Sequence, residues 1–96
     1  MLTFVIPGAL RPLTGGHDRV RVEPRGRTVR EALEALWAMY PELRYRIVTE
    51  RGEVRPHVNV FVGAENIRDT GGLATPVADG VEIAIIPAVS GGRIDG

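Results

Sequence analysis

Three groupings of residues in this sequence have side chains or spacing that could do chemistry. The first lies at residues 90–96, Ser90-Gly91-Gly92-Arg93-Ile94-Asp95-Gly96, where a glycine pair follows an apolar run. Glycine has no Cβ, so such a segment can enter a narrow channel and bring a backbone group close to a reactant. A tail of small residues can equally well fray and do nothing. The second grouping is Ser90, His57 and Asp79, the residue types of a hydrolytic triad. Ser90 sits on the stretch expected to be a mobile tail, whereas a triad needs a rigid scaffold, so nucleophilic catalysis is not expected. The third is Arg25, Arg27 and Arg30 around a helix start, where an anion could bind. Glu23 and Glu31 offset those charges, which favours a solvated face. Gly71-Gly72 lacks the strand, glycine-rich loop and helix context of a phosphate-binding loop.

The missing residue types narrow the chemistry further. The chain has 96 residues and no Cys, which leaves no disulfide, no thiol nucleophile and no thiolate metal site. Its two histidines, His17 and His57, are too few for most metal centres. All twelve basic residues are Arg, which fits a GC-rich codon bias and also removes every ε-amine for isopeptide bonding between copies. Twelve acids balance them, and zero net charge argues against nucleic acid as the main partner. The balance is uneven, with six Arg against two acids in residues 1–30 and six against ten in residues 31–96. Such asymmetry can favour docking to a charged partner but more often marks solvated faces. No apolar run is long enough to cross a membrane, and the start lacks the basic region of a signal peptide, so a cytoplasmic protein is expected.

The elements that must carry these residues follow from periodicity. Leu2 to Pro7 is a β-branched and aromatic run that predicts a strand. Residues 8–18 read as a loop turning at Gly15-Gly16, and Arg19 to Glu23 alternates as a half-buried strand with Val20 and Val22 inward. Thr28-Val29-Arg30-Glu31 has the pattern of a capping box. From there Val29, Leu33, Leu36, Trp37 and Tyr40 form one apolar stripe, and Pro41 ends the helix. Residues 41–56 could be a helical turn or an extended stretch, with a polar turn at Glu50 to Glu53. His57 to Val62 is the clearest strand, with Val58, Val60 and Val62 on one face. After a turn at 63–66, a short strand is expected at Ile67-Arg68. An irregular or 3₁₀ connection follows over 71–78, and a buried strand runs from Val81 to Ile86, where Pro87 should stop the ladder.

One helix cannot cover both faces of a sheet, so the expected class is α+β, packed on one side. The most apolar strands are the first and last, which places them side by side and parallel in the centre of a mixed sheet of four to five strands. The helix crosses between two hairpins. This is a β-grasp, or ubiquitin-like, roll over residues 1–89, followed by a flexible tail at 90–96.

On this frame the chain resembles the ThiS/MoaD family of ubiquitin-like sulfur carriers, and within it the CysO-type carriers. The matching segments are Leu10-Arg11-Pro12 with Thr14-Gly15-Gly16, Val58-Asn59-Val60-Phe61-Val62, Ile67-Arg68, Gly71-Gly72-Leu73-Ala74-Thr75, Ala78-Asp79-Gly80, and Ile86-Pro87-Ala88-Val89-Ser90-Gly91-Gly92. A glycine pair alone is weak; the pair after a strand, preceded by Pro-Ala-Val-Ser, is specific.

The resemblance implies a non-catalytic carrier that binds no cofactor of its own. An E1-like adenylating partner uses ATP on the carboxylate of Gly92, which then becomes a thiocarboxylate. Ser90 and Gly91 keep the approach thin. It further implies a cysteine synthase-like acceptor and delivery of sulfur to cysteine. The chain departs from the family pattern in continuing past Gly92 with four residues. Cleavage between Gly92 and Arg93 by a JAMM-type metalloprotease is therefore expected. Phe61, pointing away from the Val58/Val60/Val62 face, together with Leu73, Ile86, Pro87, Ala88 and Val89, forms the expected partner-binding set. Other readings are a ubiquitin-like modifier conjugated to lysines, the small subunit of molybdopterin synthase, or a β-grasp interaction module with an intact tail.

Overall fold

A computed structural model describes residues 1–87. Five strands form one sheet in the order β2-β1-β5-β3-β4: β1 (Leu2–Val5), β2 (Arg19–Val22), β3 (Val58–Val62), β4 (Glu65–Asn66) and β5 (Glu82–Pro87). β1 and β5 are parallel and central, with Phe4 opposite Ile83, and both outer pairings are antiparallel hairpins. The expected β-grasp roll is therefore present, with helix α1 (Val29–Met39) crossing on one face and a single-turn α2 (Arg44–Ile47) beside it.

The inner face of the sheet supplies Phe4, Ile6, Val20, Val22, Val58, Val60, Ile83 and Ile85. Helix α1 covers it with Val29, Ala32, Leu33 and Leu36, while Trp37 and Tyr40 pack at the margin. The helix starts where the sequence says it must. Thr28 is its N-cap, its hydroxyl accepting from the Glu31 N–H at 3.4 Å while Glu31 Oε1 accepts from the Thr28 N–H at 3.1 Å. This reciprocal pair satisfies donors that the first turn otherwise leaves open. The Val29 N–H donates to Thr75 and the Val77 N–H to Arg27, which ties the helix start to the connection entering β5.

Several boundaries differ from the sequence expectation, each for a physical reason. The loop over 8–18 contains a 3₁₀ segment, Gly8–Thr14. Buried Thr14 holds it by donating to the carbonyls of Arg11 and His17, and Gly15 (φ 66) ends it. The ambiguous stretch after Pro41 is a 3₁₀ turn, Pro41–Leu43, followed by α2, with Leu43 and Ile47 buried. The chain then returns through a tight turn in which the Thr49 hydroxyl accepts from Arg51 and Glu53 N–H groups. The short strand is not Ile67-Arg68 but β4, two residues earlier. Gly63-Ala64 is a two-residue hairpin loop with Gly63 at φ 61, so pairing resumes at Glu65. Ile67–Asp69 is 3₁₀, with Ile67 turned into the core. Gly72–Ala74 is 3₁₀, as expected. Pro87 is itself paired, as the last residue of β5 opposite Val58, and the residues after it lie outside the described ones. β1 pairs no further along β5 than Ala84, so no neighbour on that side needs an amide from Pro87.

Candidate functional site

The face of the sheet away from α1 is built by the alternate residues of every strand. Residues directly opposite one another share a face, so the register fixes its composition. One row runs Arg19, Val5, Ala84, Phe61, Asn66 across all five strands. Beside it lie Arg21, Thr3 and Glu82 on one side, and Ile86 opposite Asn59 on the other. Ile86 is 47% exposed, which is unusual for so large an apolar residue in a central strand. Phe61 is half-buried and lies outside the core cluster, so its role as core is excluded. Ile86 and Phe61 are diagonal neighbours on paired strands, a separation of about 7–8 Å that large side chains span. With Val5 and Ala84 they make a continuous apolar patch on the solvent side of the sheet.

Charges and amides frame this patch. Arg19 pairs with Glu82 across the β1 row, and the carboxylate holds the guanidinium above its ordinary pKa. The Asn66 amide donates to Asn59 Oδ1 at 3.1 Å and fixes the β4 edge. Beyond it, the Arg68 guanidinium donates to the carbonyls of Arg55, Pro56 and Val58, at 2.9, 3.3 and 2.6 Å. That residue therefore locks the start of β3 in place.

The structure brings Phe61 and Ile86 together on this face, whereas Pro87, opposite the buried Val58, falls on the helix-side face at the end of β5. Nor does it bring Leu73 to Phe61 and Ile86. Leu73 sits on the helix side, packed against the core and lining a cavity with Leu33, Trp37 and Val48. Ala88, Val89, Ser90, Gly91, Gly92 and Arg93 lie outside the described residues. Val5, Ala84 and the Arg19–Glu82 pair were missed by the sequence reading. The signal was available: Val5 and Ala84 are the out-facing positions of the two apolar strands, once those strands are set parallel and in register.

The other groupings stay apart. His57 and Asp79 are both exposed. Asp79 accepts from the Met1 amine, which holds its carboxyl below the ordinary value of 3.8 and raises the amine above 8.0. Arg25, Arg27 and Arg30 are exposed and make no ion pair among the described residues. No three His, Asp or Glu side chains cluster for a metal among the described residues, and no helix there is long and apolar enough to cross a membrane. What the arrangement offers chemically is a rigid, partly apolar face on the central strand from which residues 88–92 continue.

Comparisons with known proteins agree with this geometry. The ThiS family model matches residues 4–92. The chain is 39% identical to the sulfur carrier protein CysO of Mycobacterium tuberculosis over 93 residues, covering 95% of this chain and 98% of that protein. Its structure superposes on a chain from the BexX/CysO complex of Amycolatopsis orientalis with a TM-score of 0.87 and 36% identity, covering 96% of this chain and all of that one. The small archaeal modifier protein SAMP1 of Haloferax volcanii gives a TM-score of 0.79 at 34% identity, over 95% of this chain and 98% of that one.

Proposed function

The chain belongs to the ThiS family, and from that premise we propose that it is a CysO-type sulfur carrier whose working terminus is Gly92. The single observation that carries this reading is the extent of the family match. It runs through residue 92 and leaves Arg93-Ile94-Asp95-Gly96 outside. Gly92 has a free carboxylate only after those four residues are removed, by a metalloprotease of the JAMM type. An E1-like partner then adenylates the carboxylate with ATP. Sulfide delivered to the acyl-adenylate displaces AMP and leaves the thiocarboxylate. A cysteine synthase-like acceptor takes the sulfur onward to cysteine, in the cytoplasm.

The chain itself is not a catalyst in this scheme. It contributes the reacting carboxyl group and the face that partners grip. The Phe61, Ile86, Ala84 and Val5 patch fits that task because it is rigid, apolar at its centre and rimmed by charge. Its strand is β5, so a partner seated on Ile86 also fixes where the segment leading to Gly92 begins. Ala88 and Val89 extend the contact beyond Pro87, with Ser90 and Gly91 leading into the active site of the partner. Leu73 stands apart from the patch and would serve only a partner that reaches around to the helix side.

The likeness to a small archaeal modifier protein favours a second reading, conjugation of Gly92 to lysines of other proteins. Mass spectrometry from the native cell separates the two. A chain ending at Gly92 with one carboxyl oxygen replaced by sulfur supports the carrier. A Gly92 remnant on target lysines supports the modifier, and an intact Gly96 terminus under sulfur demand defeats both. In purified assays, the chain truncated after Gly92 is activated without protease and the full chain is not; equal activation of the two overturns the processing step.

A further inference from the structure

The outer edge of β2 is open, and the ladder fixes which groups it presents. The Ile6 N–H donates to the Asp18 carbonyl at 2.8 Å. Hydrogen-bonded pairs alternate along an antiparallel ladder, so Val20 and Val22 bond towards β1 while the N–H and C=O of Arg19 and Arg21 point outward. Among the described residues nothing bonds to those outward groups. An edge of this kind is a template for a further strand.

A groove of about 490 Å³ runs between β2 and α1 beside this edge. Val22, Ala35, Ala38 and Met39 supply its apolar wall, and Met39 is 50% exposed. A strand added to β2 alternates its side chains between two environments. Those on the helix side enter the groove, whose lining carries Glu23, Glu31 and Glu34 against Arg25 and Arg21, a balance that disfavours acidic groups there. Those on the other side lie beside the exposed guanidiniums of Arg19 and Arg21. Arg19 shares its charge with Glu82, whereas Arg21 makes no ion pair among the described residues. A second copy docking β2 to β2 would set arginines against arginines, which is destabilising.

We propose that the β2 edge and the β2–α1 groove bind an extended peptide that alternates acidic and apolar residues, adding a sixth strand to the sheet. This surface lies at the opposite edge of the sheet from β3 and β4, and the proposal stands independently of the fate of Gly92.

The test uses the full chain labelled with ¹⁵N and two capped hexapeptides, one alternating Glu and Val, the other Lys and Val. The Glu/Val peptide is expected to shift amides of Arg19 to Glu23 and Ala35 to Met39, with an affinity that weakens as salt rises. Arg21→Glu is expected to lower that affinity about fivefold, as for loss of a cross-strand charge pair, and to improve binding of the Lys/Val peptide. Arg21→Gln gives an intermediate value and guards against a folding defect in the charge reversal. Equal binding of both peptides, shifts confined to the Phe61 face, or self-association through β2 without peptide each overturns the proposal.

Discussion

Ile86 is a large apolar side chain left in water on a central strand, at a position where the pleat could as easily have placed a polar residue. Its neighbours Phe61, Ala84 and Val5 extend that surface, and Arg19 and Glu82 bound it. A side chain already facing solvent can be replaced at little cost to folding. Ile86→Arg should therefore unfold within about 0.5 kcal/mol of wild type in urea titration. The same variant should be activated by the adenylating partner at least tenfold less efficiently, as for loss of an anchoring contact of about 1.4 kcal/mol. Unchanged activation would remove this face from the docking surface. Phe61 was legible as out-facing from the alternation Val58, Val60, Val62 alone. Its standing as patch rather than core required knowing that α1 covers only the other face. Leu73 is the opposite case: it lies on the helix side, and sequence proximity to a glycine-rich connection says nothing about which side of the sheet that connection crosses.

At the scale of elements, α1 is the part most completely written in local sequence. Thr28, Glu31 and the stripe of Val29, Leu33 and Leu36 each act within a few residues, so periodicity and capping chemistry suffice to place it. Thr28→Ala should cost about 1 kcal/mol, measured as a lowered urea midpoint at unchanged m-value. Gly26 belongs to the same device in a way the sequence did not reveal. A Cβ there would meet the Glu31 carboxyl oxygens at 2.2 and 2.4 Å, so Gly26→Ala must displace the side chain that returns to the Thr28 amide. Gly26→Ala and Glu31→Ala should then be non-additive, the double variant costing little more than either single one; full additivity would place the Gly26 effect elsewhere. The stretch over 41–56 was illegible because its order comes from distant partners. Leu43 and Ile47 are buried, the Arg55 side chain donates to the Tyr45 carbonyl, and Arg68 holds the carbonyls at its end. None of these has a periodic signature.

At the scale of the whole molecule, the parallel pairing of β1 with β5 brings positions nearly eighty residues apart into contact. The Gly80 N–H donates to the Met1 carbonyl, and the Met1 amine engages Asp79 and Glu23. This tie has a definite pH dependence. The Asp79 carboxyl is lowered below 3.8 in the fold, so its contribution is present above 3.8 and fades as pH falls through the lowered value. The amine is raised above 8.0, so its contribution is present below 8.0 and fades as pH rises through the raised value. In a chain with a free Met1 amine, the thermal stability lost on Asp79→Asn should be greatest between those limits and shrink on both sides. A deficit that is flat with pH would show that the contact does not form in solution. All three groups are well exposed, so the effect should be small and sensitive to salt.

Sequence by itself determined β1, β2, α1, β3 and β5 and the faces they bury, because alternation and the capping box are local patterns. It also carried the roll itself, since one helix can cover only one face of a sheet and the two most apolar strands must take its centre. The tertiary structure alone decided the membership of the exposed face and the openness of the β2 edge. It also decided the position of β4 and the path between α1 and β3. Those depend on register between strands distant in sequence and on side chains such as Arg68 and Thr14 bonding to carbonyls, and neither leaves a repeating trace along the chain.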